Sequence, residues 1–256
     1  ETEMKKFLVL IVFAMIMIFA LSCGNEKKSS GYELALITDV GTIDDRSFNQ
    51  GSWEGLKKYA EEKGITHKYY QPTEKTTDAY IDSIDLAVAA GAKIVVTPGF
   101  LFEPAIYKAQ DIHQEVNFVL LDGSPQDGNY QDFRIEKNVY SVFYAEEEAG
   151  FLAGYGAVKE GYTNLGFMGG MAVPAVVKFG YGFVQGVNYA AKEFGIKNVK
   201  VDYNYLGGFN PSPEIQTKAA SWYRNGVQVI FVAGGGAGNS VMSAAEQNNG
   251  YVIGVD

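Results

Sequence analysis

The sequence has very few of the residues that form disulfides and metal centres. Of its 256 residues, one is a cysteine, Cys23, and two are histidines, His67 and His113. A single cysteine excludes an intramolecular disulfide, and the two histidines lack the spacing of zinc ligands. The sequence therefore predicts no metal site, and it places both histidines at the surface.

Basic charge is also scarce. The chain has 21 Lys and Arg against 30 Asp and Glu, a net charge of -9. Proteins that bind nucleic acid carry basic faces, so this balance argues against a nucleic-acid partner. Hydrophobic residues make up 47% of the chain, enough for a sizeable core, and 17 Tyr and 16 Phe supply rings for that core or for a stacking cleft.

The longest hydrophobic run lies near the N-terminus. Residues 7–21 are apolar, two lysines precede them, and small residues lead directly into Cys23. This layout is typical of a secretory signal, and the run is shorter than the roughly 20 residues that span a bilayer. It predicts a signal peptide at 1–22 and, because Cys23 sits as in a bacterial lipobox, a lipidated tether at 23–31. An uncleaved membrane anchor is the alternative.

From Tyr32 onward, apolar strand patterns alternate with helical patterns. Strands are predicted at 34–38, 65–70, 93–97, 116–121, 138–143, 163–168, 199–205, 227–233 and 251–255. Helices are predicted up to Lys63 and at 76–90, 101–114, 145–159, 174–194, 213–225 and 238–249. Repeated βα units imply parallel sheets with right-handed crossovers. An irregular stretch from 123 suggests a crossing between two α/β lobes, predicted at 32–143 and 144–256. Because the sequence stops directly after a strand, its C-terminal part is expected to be missing.

The loop from Asp39 to Gln50 is the most distinctive one in the chain. It follows a buried strand, precedes a helix and contains three Asp, one Asn and one Phe. In open α/β sheets, ligands bind at the carboxyl ends of the strands. Phe48 could stack on a flat ligand, with Asp39 or Asn49 hydrogen-bonded to it. Alternatively, Asp44, Asp45 or Ser47 caps the helix and Phe48 packs beneath it.

Other predicted strands end in similar residues. Asp122 and Asp256 follow strands, as do the glycine groups that begin at Gly169, Gly207 and Gly234. Glycines let a ligand approach the backbone, although each group is equally suited to an ordinary turn. None matches a phosphate loop, which requires Gly-Lys-Ser/Thr. Carboxylates that converge with aromatic rings favour polar recognition of a ligand.

Several segments together resemble a known family. They are Asp44–Gln50, Gly169–Pro174, Tyr205–Asn210, Val232–Asn239 and Val252–Asp256. The chain resembles the basic membrane protein family of lipoproteins, which includes the purine nucleoside receptors of spirochaetes. The resemblance implies an α/β type I periplasmic-binding fold, with two parallel-sheet lobes around a central cleft. It also implies a substrate-binding lipoprotein that feeds an ABC permease.

The same resemblance implies site residues and a role. The base of the ligand would lie between Phe48 and Phe209, and carboxylates would contact base and ribose. The remaining implied pocket residues are Asp39, Asn49, Asp122, Gly235 and Asp256. No cofactor, metal or catalysis is implied. The ligands would be adenosine, guanosine or inosine, and the protein would be anchored to the cell membrane and face the periplasm or the cell exterior.

Three other functions stay open at this point. The protein could bind another flat ring ligand, such as riboflavin, or it could be a surface adhesin or antigen with a vestigial cleft. It could also be a nucleoside hydrolase that uses the same carboxylates. Hydrolases of this kind usually need a metal-binding Asp cluster, which Asp39, Asp44 and Asp45 imitate only loosely.

Overall fold

The computed structural model describes residues 32–39 and 41–255. Cys23, the predicted signal peptide and tether, and Asp256 lie outside the described residues. Within the described part, no helix combines the length and the apolar character needed to cross a membrane.

The first lobe is built on a parallel sheet whose strand order is β2-β1-β3-β4-β5. Its strands are β1 (Leu34–Ile37), β2 (His67–Tyr70), β3 (Ile94–Pro98), β4 (Asn117–Leu121) and β5 (Val139–Val142). Its helices are α1 (Phe48–Lys63), α2 (Thr77–Ala89) and α3 (Glu103–Ile112), the last preceded by a 3₁₀ turn (Phe100–Phe102). All four residues of β1 are buried, because β1 lies between β2 and β3 with helices over both faces.

The second lobe is built on a parallel sheet of order β7-β6-β8-β9. Its strands are β6 (Asn164–Gly169), β7 (Lys200–Tyr205), β8 (Val229–Ala233) and β9 (Tyr251–Ile253). Its helices are α4 (Glu146–Lys159), α5 (Pro174–Glu193), α6 (Pro213–Arg224) and α7 (Ala237–Asn248).

Strand β8 shows how alternating side chains build a core on both faces of a sheet. Val229 and Phe231 pack into a cluster with α4 and α5. Ile230 and Val232, which point the other way, pack with α6 and α7. Because successive residues of a strand face opposite sides, an unbroken apolar run is the pattern expected of a strand buried on both faces.

The order of elements confirms the α/β type I fold predicted from the sequence. Predicted and observed ends agree to within about two residues for every strand and helix whose ends were predicted. Both histidines are partly exposed, and His113 also makes a specific contact. Its side chain is only 16% exposed, and its Nε2 lies 2.6 Å from a carboxylate oxygen of Asp85, which joins α2 to α3.

The irregular segment 123–138 belongs to the first lobe and is not itself the crossing. Arg134 donates hydrogen bonds of 2.8 and 2.6 Å to Asp111 of α3. Gln110 of the same helix donates to the carbonyl of Arg134 at 3.1 Å. The chain leaves the first sheet only after β5 ends at Val142.

Helices α4 and α5 pack backbone against backbone. A methyl group at Gly150 or Gly154 would collide with carbonyl oxygens of α5, and one at Gly182 or Gly186 would collide with carbonyl oxygens of α4. These glycines therefore set the distance between the helices. The pair covers one face of the second sheet.

Candidate functional site

The predicted site residues lie at the carboxyl ends of strands in both sheets. Asp39 follows β1 and Asp122 follows β4 in the first lobe. In the second lobe, Phe209 follows β7 and Gly235 follows β8. The remaining strand-end residue, Asp256, lies outside the described residues.

Asp45 organises the loop before α1. Its carboxylate accepts hydrogen bonds from the backbone N–H groups of Ser47 at 2.9 Å, Asn49 at 3.3 Å and Gln50 at 3.1 Å. These are groups that the start of a helix leaves without intrahelical partners. The capping interpretation of the loop is therefore correct for Asp45, whereas Ser47 makes no side-chain cap.

The buried amide of Asn49 joins the two carboxylates of this loop. Its Nδ2 donates to Asp39 Oδ1 and to Asp45 Oδ2, each at 3.1 Å. The carboxylates fix the orientation of the amide, since its oxygen would repel them. Asn49 Oδ1 is buried and has no hydrogen-bond partner among the described residues. An unpaired buried acceptor is costly, so this atom favours an N–H or O–H donor nearby.

Gly41 is required by the same network. Its N–H donates to Asp39 Oδ1 at 2.6 Å. A methyl group at this position would lie 2.5 Å from Asn49 Nδ2 and 2.8 Å from Asp39 Oδ1. The absence of a side chain thus allows Asp39 and Asn49 to meet.

Phe48 is the first residue of α1 and is half-buried. Its ring meets the ring of Tyr144 edge to face, with centroids 6.3 Å apart. Tyr144 lies on the connection from β5 to α4, between the two sheets. Within the described chain, Phe48 belongs to none of the buried apolar clusters. The alternative that its ring packs beneath the helix gains no support from these clusters.

Phe209 rests on glycines of the second lobe. A methyl group at Gly170 would lie 2.5 Å from the Phe209 ring, and one at Gly235 would lie 3.6 Å from it. The carbonyl of Phe209 accepts a hydrogen bond of 2.7 Å from the N–H of Ala237 at the start of α7. Gly170 and α7 thereby hold the Phe209 loop at the edge of the second sheet.

Asp122 has a backbone conformation that is rare for a residue with a side chain. Its φ is 58°, in the left-handed region, and its N–H donates to the carbonyl of Val142 at 2.7 Å. The pKa of Lys178 on α5 is raised, mainly by its hydrogen bond to Glu146 and more weakly by the charges of Glu147 and Asp122. Asp122 of the first lobe therefore lies within electrostatic reach of a second-lobe cation.

The two lobes also touch beside the site. Asn239 Nδ2 on α7 donates to the backbone carbonyl of Asp45 at 3.1 Å. This bond joins the loop that contains Asp39, Phe48 and Asn49 to the helix that follows Gly235. The structure therefore connects the site residues of the first lobe to those of the second.

Sequence reasoning missed Asn239, and it considered Asp45 only as a possible cap and as a loose imitation of a metal ligand. For Asp45, the sequence signal was its position: it lies just before the helix that begins at Phe48, and four residues before Asn49. For Asn239 no local signal exists, since its partner is 194 residues away along the chain. Lys178 carried no signal either, because a lysine within an amphipathic helix is usually a solvated residue.

The described residues offer little support for another kind of site. Among them, no group of three or more His, Cys, Asp and Glu could hold a metal ion. An open groove runs along α6 and is lined by Pro213, Glu214, Thr217, Lys218, Ser221 and Trp222. It contains none of the strand-end residues, so the strand ends remain the better candidate.

Solved structures identify the class to which this architecture belongs. An ABC transporter solute-binding protein from Aeropyrum pernix K1 superposes with a TM-score of 0.71 at 24% identity, over 86% of this chain and 60% of that one. One from Conexibacter woesei gives 0.67 at 22% identity, over 87% and 69%. The fold is that of a type I periplasmic binding protein.

Sequence comparison then identifies the family. Residues 32–256 match the family described as Bmp, ABC transporter substrate-binding protein PnrA-like, and the chain belongs to that family. The ABC transporter nucleoside-binding protein BmpA of Lactococcus lactis is 32% identical over 243 residues, 90% of this chain and 65% of that protein. Basic membrane protein D of Borreliella burgdorferi is 29% identical over 256 residues, 99% and 70%. The chain thus spans about two thirds of the length of these relatives, and its predicted membership of the family is confirmed.

Proposed function

We propose that this protein is a substrate-binding lipoprotein that captures purine nucleosides between its lobes and delivers them to an ABC permease. Family membership supports a substrate-binding role, and the Lactococcus lactis relative is described as nucleoside-binding. The proposed lobes are 32–143 and 144–256, the protein is anchored to the membrane and faces the periplasm or cell exterior, and the ligand leaves unchanged.

The observation that carries this proposal is the arrangement around Asn49. Its amide is fixed by two carboxylates, and its acceptor Oδ1 is left without a protein partner among the described residues. Phe48 begins the next helix, and Phe209 stands at the corresponding edge of the second sheet. A purine has flat faces for the two rings and N–H groups at its edge, so it matches both features. Base–aromatic stacking contributes about 1–3 kcal/mol per base in nucleic-acid binders.

The carboxylates are proposed to contact different parts of the ligand. Asp256 binds the ribose, with Asp122 as the second contact, and Asp39 faces the base. Hydrogen bonds to charged groups contribute about 1.5–3 kcal/mol. A ligand that lacks a ribose hydroxyl is therefore expected to bind roughly ten- to a hundredfold more weakly, since about 1.4 kcal/mol corresponds to a factor of ten.

Titration calorimetry of the full-length protein with inosine and 2′-deoxyinosine tests this division. Asp256→Ala is expected to erase most of the preference for inosine. Asp39→Ala is expected to weaken both ligands alike. Equal affinities of the wild type for the two ligands would contradict a ribose contact, and failure to bind inosine, adenosine or guanosine would contradict the proposed function.

Lipidation is a separate part of the proposal and rests on the sequence around Cys23. Palmitate labelling of cells that express the full precursor is expected to mark the wild type and to leave Cys23→Ser unlabelled. Equal incorporation into both proteins would remove the anchor from the proposal without affecting the ligand.

A further inference from the structure

The first turn of α7 contacts functional loops of both lobes. The N–H of Ala237 donates to the carbonyl of Phe209 at 2.7 Å, within the second lobe. Two residues later, Asn239 Nδ2 donates to Gly236 O in its own turn and to Asp45 O in the first lobe, each at 3.1 Å. One amide nitrogen therefore bridges a carbonyl on each side of the interlobe boundary.

The contact with the first lobe falls on the residue that organises the site loop. The Asp45 carboxylate accepts the N–H groups at the start of α1 and the side-chain amide of Asn49. Asn49 in turn donates to Asp39. A chain of two hydrogen bonds thus links Asn239 to Asn49 by way of Asp45, and a third hydrogen bond extends that chain to Asp39.

Close backbone approach accompanies this bond. A methyl group at Gly236 would lie 3.9 Å from the Cβ of Asp45 and 3.3 Å from the carbonyl oxygen of Phe209. Both loops are therefore in near contact at the start of α7. Separating the lobes at this point would break the Asn239–Asp45 bond and open the gap beside Gly236.

We propose that Asn239 is a positioning residue that latches the two lobes together and presents the Asp45 loop to the ligand. This inference rests on the proposed function in one respect, namely that the ligand binds the closed form of the protein. The bond of Asn239 to Asp45 stabilises the closed arrangement whether or not a ligand is present. A ligand that binds only the closed form has an apparent affinity proportional to the closed fraction, so the latch raises affinity without touching the ligand.

Two substitutions of Asn239 and one matched control test the latch. Asn239→Ala removes the donor, and Asn239→Asp keeps the shape but turns an oxygen toward the carbonyls of Asp45 and Gly236. The control is Asn248→Ala on the same helix, since Asn248 Nδ2 donates at 2.7 Å to Ala244 O within α7. Circular dichroism spectra verify that all three variants are folded.

The distance between the lobes is the direct readout, and it requires no ligand. Spin labels at Lys58 and Gln185, both exposed and in different lobes, are placed in the full-length protein on a Cys23→Ser background. The distances between the labels are measured by pulsed electron–electron double resonance. Asn239→Ala is expected to shift the distance distribution toward longer values, and Asn239→Asp is expected to shift it further. Asn248→Ala is expected to retain the wild-type distribution. Unchanged distributions in both Asn239 variants, or an equal shift in Asn248→Ala, would overturn the latch.

Inosine binding gives the second readout. The loss of one hydrogen bond is expected to raise the Kd of Asn239→Ala by about three- to tenfold. Saturating inosine is expected to restore the short distance in Asn239→Ala, because the ligand contacts themselves are intact. An unchanged Kd together with unchanged distances would overturn the latch and leave the proposed function standing. If inosine does not bind the wild type, the proposed function fails, and the ligand-free distances still decide the latch.

Discussion

Phe48→Ala is expected to weaken the binding of inosine by about ten- to a hundredfold. This range follows from a stacking contribution of about 1–3 kcal/mol per base and a factor of ten for each 1.4 kcal/mol. Phe48 is half-buried, stands at the start of α1 and contacts Tyr144 edge to face. The substitution removes the ring and leaves the Asp45 cap, which is made by backbone N–H groups, in place.

The measurement is titration calorimetry of wild type, Phe48→Ala and Phe48→Tyr. Tyrosine retains an aromatic face, so Phe48→Tyr is expected to bind nearly as tightly as the wild type. Phe133→Ala is a matched control, because Phe133 is an exposed aromatic residue on the 123–138 segment. If Phe48→Ala binds like the wild type, the ring serves the packing of the loop, and ligand stacking is excluded at this position.

Gly154→Ala is expected to lower the free energy of unfolding by about 3 kcal/mol, at the upper end for overpacked sites. The added methyl group collides with the carbonyl oxygen of Phe183, a backbone atom of α5 that no side-chain rotation can move away. The helices must separate along their contact, which also disturbs the face that they turn toward the second sheet.

The matched control lies two residues further along the same helix. A methyl group at Gly156 meets no atom within 4 Å. Gly156→Ala is therefore expected to raise stability by up to about 1 kcal/mol through the helix propensity of alanine. Urea unfolding of both variants measures the difference, and equal stabilities would contradict a backbone contact between α4 and α5.

The fold was predictable because its strands and helices carry strong local patterns. Runs such as Val229–Ala233 are apolar throughout, and a helix such as α6 begins at Pro213, directly after the capping residue Ser212. These signals depend on residues close together in sequence. The glycines of α4 and α5 show the limit, since glycine normally weakens a helix, and only the partner helix explains them.

The positions of the candidate site residues in the fold were predictable in part for the same reason. Asp39, Asp122 and the glycine groups stand at strand ends, which an alternating βα chain brings to one edge of each sheet. The chemistry within the Asp39–Gln50 loop was not decidable from sequence, because Asp44, Asp45 and Ser47 are all good caps. Only the structure shows that Asp45 caps the helix and that its carboxylate also accepts a hydrogen bond from Asn49. The hydrogen bond from Asn239 to Asp45 joins residues that are far apart in the sequence, so no local pattern predicts it.

The left-handed backbone of Asp122 limits how this position can change during evolution. Asp, Asn and Gly adopt a φ near 58° with little strain, whereas longer side chains such as Glu do so at a cost. A lineage could therefore exchange the charge of this side chain for a neutral amide through one nucleotide change, but lengthening it by one methylene would strain the chain. For the ribose contact proposed for Asp122, divergence in ligand preference is accordingly expected to proceed by loss of charge at constant side-chain length.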